Sequence, residues 1–133
     1  MRMTIFTATA AFIILVAAGC GSDAPPTAPV TGTVTYKGAP LKEATISFMP
    51  KDGRPGYGKI VDGSIKDVMT LEPGDGAPVG PSQVTIQAAQ GGGDMYAEQK
   101  SLIPDRYGSP EKSGLTADIK ADGPNELKFE LTD

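Results

Sequence analysis

Few side chains in this sequence can do chemistry, and those present are badly matched for it. The 133 residues include one Cys and no His, with 16 Asp and Glu against 12 Lys and Arg. Without His, neither a Ser/His/Asp triad nor a Cys/His nucleophile pair can form. Zinc and copper sites draw on His and on several Cys, so no metal and no cofactor is expected. Carboxylates remain. Asp52, Asp62, Asp75 and Asp94 all sit beside glycines in turn-like stretches, where Asp serves its own backbone. That placement argues against a carboxylate pair working as acid and base. Calcium would accept such carboxylates, but no EF-hand or nonapeptide repeat organises them. Gly91-Gly92-Gly93 has no Lys-Ser/Thr after it, so it reads as a flexible loop rather than a phosphate cradle. The net charge is −4, and no basic stripe offers a nucleic-acid footprint. The expected protein is not an enzyme and has no catalytic residues.

Cys20 is the one reactive residue with an informative setting. Arg2 opens a short positive region, Thr4 to Val16 is uncharged and ends in "AAFIILV", and Ala17, Ala18 and Gly19 are small. Those are the three parts of a secretory signal peptide. A spanning helix needs about 20 apolar residues, more than this run supplies. A lone Cys in an exported chain has no partner of its own. Ala17-Ala18-Gly19-Cys20 resembles the bacterial lipobox, with Ala17 where Leu is commonest. The resemblance implies cleavage before Cys20, a diacylglycerol on its thiol and an acylated new N-terminus. Two or three acyl chains make a stable membrane anchor, at about 0.8 kcal/mol per buried CH₂. The alternative is a stray thiol in a leader. Gly21 stands where Asp resembles an inner-membrane retention signal, which favours the outer membrane or cell surface.

The elements that would carry a site follow from the rest of the chain. Residues 1–19 are expected to be signal peptide and 20–29 a lipidated N-terminus with a Pro-rich linker. The stretch "GSDAPPTAP", Gly21–Pro29, has no apolar periodicity. In polyproline II form at about 3.1 Å per residue it would lift the domain roughly 28 Å. From Val30 the period becomes two. "VTGTVTY" puts Val30, Gly32, Val34 and Tyr36 on one face, and "ATISFMP" does the same with Ala44, Ile46 and Phe48. "KIV" and "SIKDV" flank Asp62-Gly63, a pair suited to a type I′ hairpin turn. "SQVTIQA", "LTADIK" and "ELKFEL" alternate as well, the last with Glu126, Lys128 and Glu130 outward. Seven such strands with no convincing helix imply an all-β, antiparallel sandwich over 30–133.

One segment breaks the alternation. Residues 90–114, "QGGGDMYAEQKSLIPDRYGSPEKSG", form a long connection, and long connections are usually functional or mobile. "AEQKSL" suits one helical turn. Ile103, Pro104 and Tyr107 are placed to cap one end of the sandwich. Tyr96 and Tyr107 are the candidate ligand residues of this loop, with Tyr57 the other loop aromatic, although packing is the commoner use of each.

These residues resemble a family. "VTGTVTYKGAPLKEATISFMP" is similar to the opening of carboxypeptidase regulatory-like domains, and "LEPGDGAPVGPSQVTI" to a later segment of them. "IPDRYGSPEKSGLTADIKADGPNELKFELTD" is similar to the closing part of small bacterial lipoproteins that carry this domain. The resemblance runs in pieces from about Val30 to Asp133. It implies a transthyretin-like (prealbumin-like) sandwich of seven strands and says little about activity. Two positions depart from it. "VDGSI" at the central hairpin has one acid and no aromatic, and Ser82 stands where the family tends to have Tyr. Transthyretin-like hydrolases of 5-hydroxyisourate depend on His, which this chain lacks. Related pilin-type sandwiches form Lys–Asn isopeptide bonds, but Lys42, Glu43 and Asn125 do not match the positions used there. The expected function is a lipid-anchored envelope protein, non-enzymatic, acting as a structural or binding module. Its partners would be the membrane through the anchor, and an envelope protein or glycan. The alternative is a carbohydrate- or peptide-binding accessory lipoprotein that uses the 90–114 loop.

Overall fold

Alternating apolar residues need a sheet with one buried face, and the protein is all-β accordingly. The structure, a computed structural model, describes residues 26–90 and 100–133. In chain order the strands are β1 (Thr27–Ala28), β2 (Val30–Tyr36), β3 (Ala39–Pro40), β4 (Glu43–Pro50), β5 (Gly56–Val61) and β6 (Ser64–Met69). Then come β7 (Ala77–Pro78), β8 (Gly80–Gln87), β9 (Ala89–Gln90), β10 (Lys100–Ser101), β11 (Leu115–Ile119) and β12 (Asn125–Leu131). A 3-10 turn at Asp105–Gly108 interrupts the second half.

The long strands hydrogen-bond in the order β11-β8-β4-β5-β6-β2-β12. These are the strands expected from alternation, with the expected inward faces. Val34, Ile46, Phe48, Ile60, Val84, Ile86, Ile119 and Leu131 are all buried in one hydrophobic cluster. Each strand of the path places residues in that cluster, so the sheet must curl round its own inner face. Two tight hairpins set the register. Lys37-Gly38 and Asp62-Gly63 both have φ between 49° and 80° at each residue, as a type I′ turn requires.

Several expectations need correction. The sheet is not wholly antiparallel, because β12 runs parallel to β2 from Asn125↔Val30 to Leu131↔Tyr36. Alternation selects a face and says nothing of a partner's direction. The linker expected to reach Pro29 stops earlier. Thr27 and Ala28 pair with Pro78 and Ala77, and Ala28 is buried in the core. The loop "KDGRPGYG" gives up its last three residues to β5. The helical turn expected over "AEQKSL" is not helical at Lys100–Ser101, which pairs with β9 as strand; the rest of that stretch lies outside the described residues.

The layout has two ends. At the chain-entry end lie β1, β7, the 51–55 and 70–76 turns, and the turn between β11 and β12. At the opposite end lie both type I′ hairpins, Gln87, the 3-10 turn and Thr132. The eight residues of β8 join the two, a span of roughly 25 Å.

Candidate functional site

The 101–113 segment is anchored at the end opposite chain entry. Ile103 and Tyr107 enter the hydrophobic cluster, and Pro104 is half-buried. Tyr107, a sequence candidate for ligand contact, is only 4% exposed. Its hydroxyl donates to the Thr132 carbonyl at 3.0 Å and accepts the Thr132 N–H at 2.9 Å. Arg106 Nη2 donates to the same hydroxyl at 2.9 Å and to the carbonyls of Thr132 and Asp133, both at 3.1 Å. Burial pushes the Tyr107 phenol up, but the Thr132 N–H and the Arg106 guanidinium outweigh it and leave the group below its ordinary value. Ser113 Oγ donates to the Val84 carbonyl at 2.6 Å, which ties the end of the segment to β8. The other sequence candidates, Cys20 and Tyr96, lie outside the described residues.

A second cluster closes the same end. Tyr36 donates to Asp133 Oδ1 at 2.5 Å, and Lys37 forms an ion pair with the same carboxylate. The Lys37 ammonium, then the Tyr36 hydroxyl, hold the Asp133 carboxyl below the usual range. The hydrogen bond to Asp133 in turn raises both Tyr36 and Lys37.

Depressions lie beside this anchored segment and across the outer sheet face. One, of about 220 Å³, lies between Ile86–Ala88, at and just past the end of β8, and the Ser101, Pro104 and Gly108 side. A second, of about 370 Å³, spans Glu43, Thr45, Lys59 and Gln87 on the outer face of β4, β5 and β8. Gln87 lines both, so the two adjoin at that residue. A third, also about 370 Å³, lies toward the entry end of the outer face, against Met49, Lys51, Gln83 and Thr116.

Between the second and third depressions stands Tyr57. It is 48% exposed, not packed as expected. It belongs to β5, where Gly56, Gly58 and Ile60 face inward and Tyr57, Lys59 and Val61 outward. The sequence signal for this was present: once "GYGKIV" is read as a strand, alternation with Ile60 places Tyr57 outside.

Of the described turn carboxylates Asp52, Asp62 and Asp75, it is Asp75 whose side chain serves its own backbone. Asp75 is pushed up by burial, but it accepts N–H groups from Thr70 at 2.6 Å, Leu71 at 2.9 Å and Glu72 at 3.1 Å. Those bonds leave its carboxyl below the usual range. Asp62 is the first residue of the β5–β6 hairpin turn. Among the described residues no three acidic side chains gather into a group that could hold a metal ion. Asn125 is occupied by its own turn and by the chain before β2, accepting from the Lys120 N–H at 2.8 Å and donating to the carbonyls of Lys120 and Pro29. No helix among the described residues is long and apolar enough to cross a membrane. No protein-family model, no curated protein and no solved structure matches the chain.

Proposed function

We propose that this is a lipid-anchored envelope protein whose β domain is a non-enzymatic structural or binding module. The observation that carries the reading is Ala17-Ala18-Gly19-Cys20, with the only Cys separated by six residues from Thr27, where β1 begins. Acylated Cys20 would be the first residue of the mature protein. The spacer is then Gly21–Pro26, about 19 Å at full polyproline extension, shorter than the sequence suggests. Gly21 after the Cys favours outer-membrane or cell-surface sorting. The domain itself is read as a transthyretin-like, carboxypeptidase regulatory-like sandwich. Its support is the seven long strands and the thin join between β6 and β2, a single pair at Thr33↔Ser64, which suits a seam between two layers.

The accessory-lipoprotein reading, with a carbohydrate or peptide as ligand, is favoured by one feature. The depressions that meet at Gln87 lie at the end of the domain away from chain entry, beside the 101–108 segment. A short tether at one end leaves that end free to meet a partner. Membrane fractionation tests the anchor: wild type should sediment with membranes and Cys20→Ser should be soluble. A membrane-bound Cys20→Ser protein overturns it. A photoreactive residue in place of Gln87 should then crosslink an envelope component in intact cells, and a clean absence of adducts contradicts the binding-module reading.

A further inference from the structure

We infer that the outer face of β8, β4, β5 and β6 binds a linear acidic oligosaccharide, with its rings on Tyr57 and Met69 and its carboxylates on Lys59 and Lys66. The inference rests on the binding-module reading and names the ligand class of that module.

The first support is an uncharged strip in a charged protein. Ser47, Tyr57 and Met69 stand in one cross-strand row on the outer face, and the row ends on Thr85, which is buried. Gln83 and Met49 lie in the next row on one side, and Gln87 and Thr45 on the other. By contrast β12 turns Glu126, Lys128 and Glu130 outward. Tyr57 and Met69, paired across β5 and β6, are exposed by 48% and 39%. An exposed aromatic beside a thioether is a flat apolar platform, and the flanking Ser47 and Thr45 hydroxyls and Gln83 and Gln87 amides both donate and accept. Sugar rings present that combination, an apolar face edged by hydroxyls.

The second support is a pair of lysines that the fold sets against each other. Lys59 is directly opposite Lys66, and like charges in that position are destabilising. The cause is a β-bulge. Tyr57 opposes Met69, but the register shifts before Lys59. Continued unbroken, the ladder from Tyr57↔Met69 would have placed Lys59 opposite Asp67, a favourable pair. Instead Asp67 takes φ 53° and is the extra residue. Bulges gather where a strand must re-aim a side chain. Glu43 lines the depression with Lys59 and Asp67 follows Lys66, but neither is paired with either lysine; among the described residues the ion pairs are Lys37–Asp133 and Lys128–Glu130. Two cations with no ion-pair partner among the described residues, next to a sugar-compatible platform, select a saccharide that carries carboxylates. From the Gln83 and Met49 row to the Gln87 and Thr45 row is four residues of strand, roughly 13 Å, so the ligand is a chain rather than one sugar.

The test uses the full-length protein in detergent and hexameric oligogalacturonate, oligomannuronate and hyaluronan as probes. The expected result is that at least one binds, and that its methyl ester, with the charges capped, binds at least tenfold more weakly. Tyr57→Ala should weaken binding about tenfold, and Tyr57→Phe should retain it. A Lys59→Gln, Lys66→Gln double variant should lose the preference for acid over ester. Because these positions are exposed, melting temperatures should stay near wild type, and a collapsed variant is replaced by Gln83→Glu, which places repulsive charge on the strip and should also weaken binding. The inference is overturned if none of the three hexamers binds, if the ester binds as tightly as the acid, if Tyr57→Ala binds like wild type, or if hexaglutamate binds as well as the saccharides. An envelope protein captured at position 87 without uronate binding overturns the saccharide and leaves the binding-module reading standing. Loss of both overturns the two together.

Discussion

Gly76→Ala should free the start of the domain from the sheet. A Cβ at Gly76 would lie 2.0 Å from the Ala28 carbonyl oxygen, 2.4 Å from its carbon and 2.8 Å from Pro29 N. All three are backbone atoms, so no side chain can rotate away. Gly76 also has φ 97°, whereas Gly74 has φ 80° with open space around it. Gly74→Ala is therefore the control for backbone strain alone, about 1 kcal/mol. Gly76→Ala adds the eviction of β1. That forfeits the β1–β7 pairing and the Val79 N–H bond to the Pro26 carbonyl, at about 1 kcal/mol per hydrogen bond. Exposure of the Ala28 methyl costs about 0.8 kcal/mol more. The expected total is about 3–4 kcal/mol. At roughly 4–8 °C per kcal/mol for a domain near this size, Gly76→Ala should melt at least 10 °C below Gly74→Ala by circular dichroism. Limited proteolysis should cut the Gly76→Ala protein near 26–30 and spare the control. Equal melting temperatures for the two variants would refute the close approach of β1 to Gly76.

Ser82 Oγ is buried without a hydrogen-bond partner among the described residues, so Ser82→Ala should leave the urea midpoint unchanged or raise stability by up to about 1 kcal/mol; a clear loss would mean that the hydroxyl has a partner. Asp75→Ala should cost about 1–2 kcal/mol, since one carboxylate satisfies three backbone N–H groups in the manner of a helix cap. The Asp75 carboxyl is depressed in the fold, so its contribution is full above the ordinary carboxylate pKa of about 4 and fades as pH falls through the lowered value. Acid titrations of wild type and Asp75→Ala should accordingly converge at low pH, and parallel curves would contradict this. Tyr107→Phe keeps the buried ring but leaves the Thr132 N–H without its acceptor, which should lower stability by about 1–2 kcal/mol in chemical denaturation.

Local chemistry made much of this fold readable. The inward faces of Val30 to Tyr36, Ala44 to Phe48 and Leu127 to Leu131 follow from alternation alone. Lys37-Gly38 and Asp62-Gly63 announce their turns because few residue pairs accept positive φ twice. Contacts between distant parts of the chain were not readable. The parallel pairing of β2 with β12 joins residues 95 apart at Asn125↔Val30, and nothing in either strand encodes a direction. Tyr36 and Asp133 meet across 97 positions. The pairing of Thr27–Ala28 was hidden by the prolines on either side, which look like linker. Asp67 carries no mark of a bulge in the sequence, so the opposed lysines emerge only with the register, whereas the outward place of Tyr57 follows from alternation once its stretch is read as strand. Cys20 is the reverse case: its reading comes from the sequence, and it lies outside the described residues.

That reading is tested most directly by mass spectrometry of the N-terminal peptide from protein extracted out of membranes. The expected species begins at Cys20, lacks Met1–Gly19 and carries diacylglycerol on the thiol with an acylated amine. A mature protein that keeps residues 1–19, or one that begins at Cys20 with a free thiol, would contradict the lipid anchor.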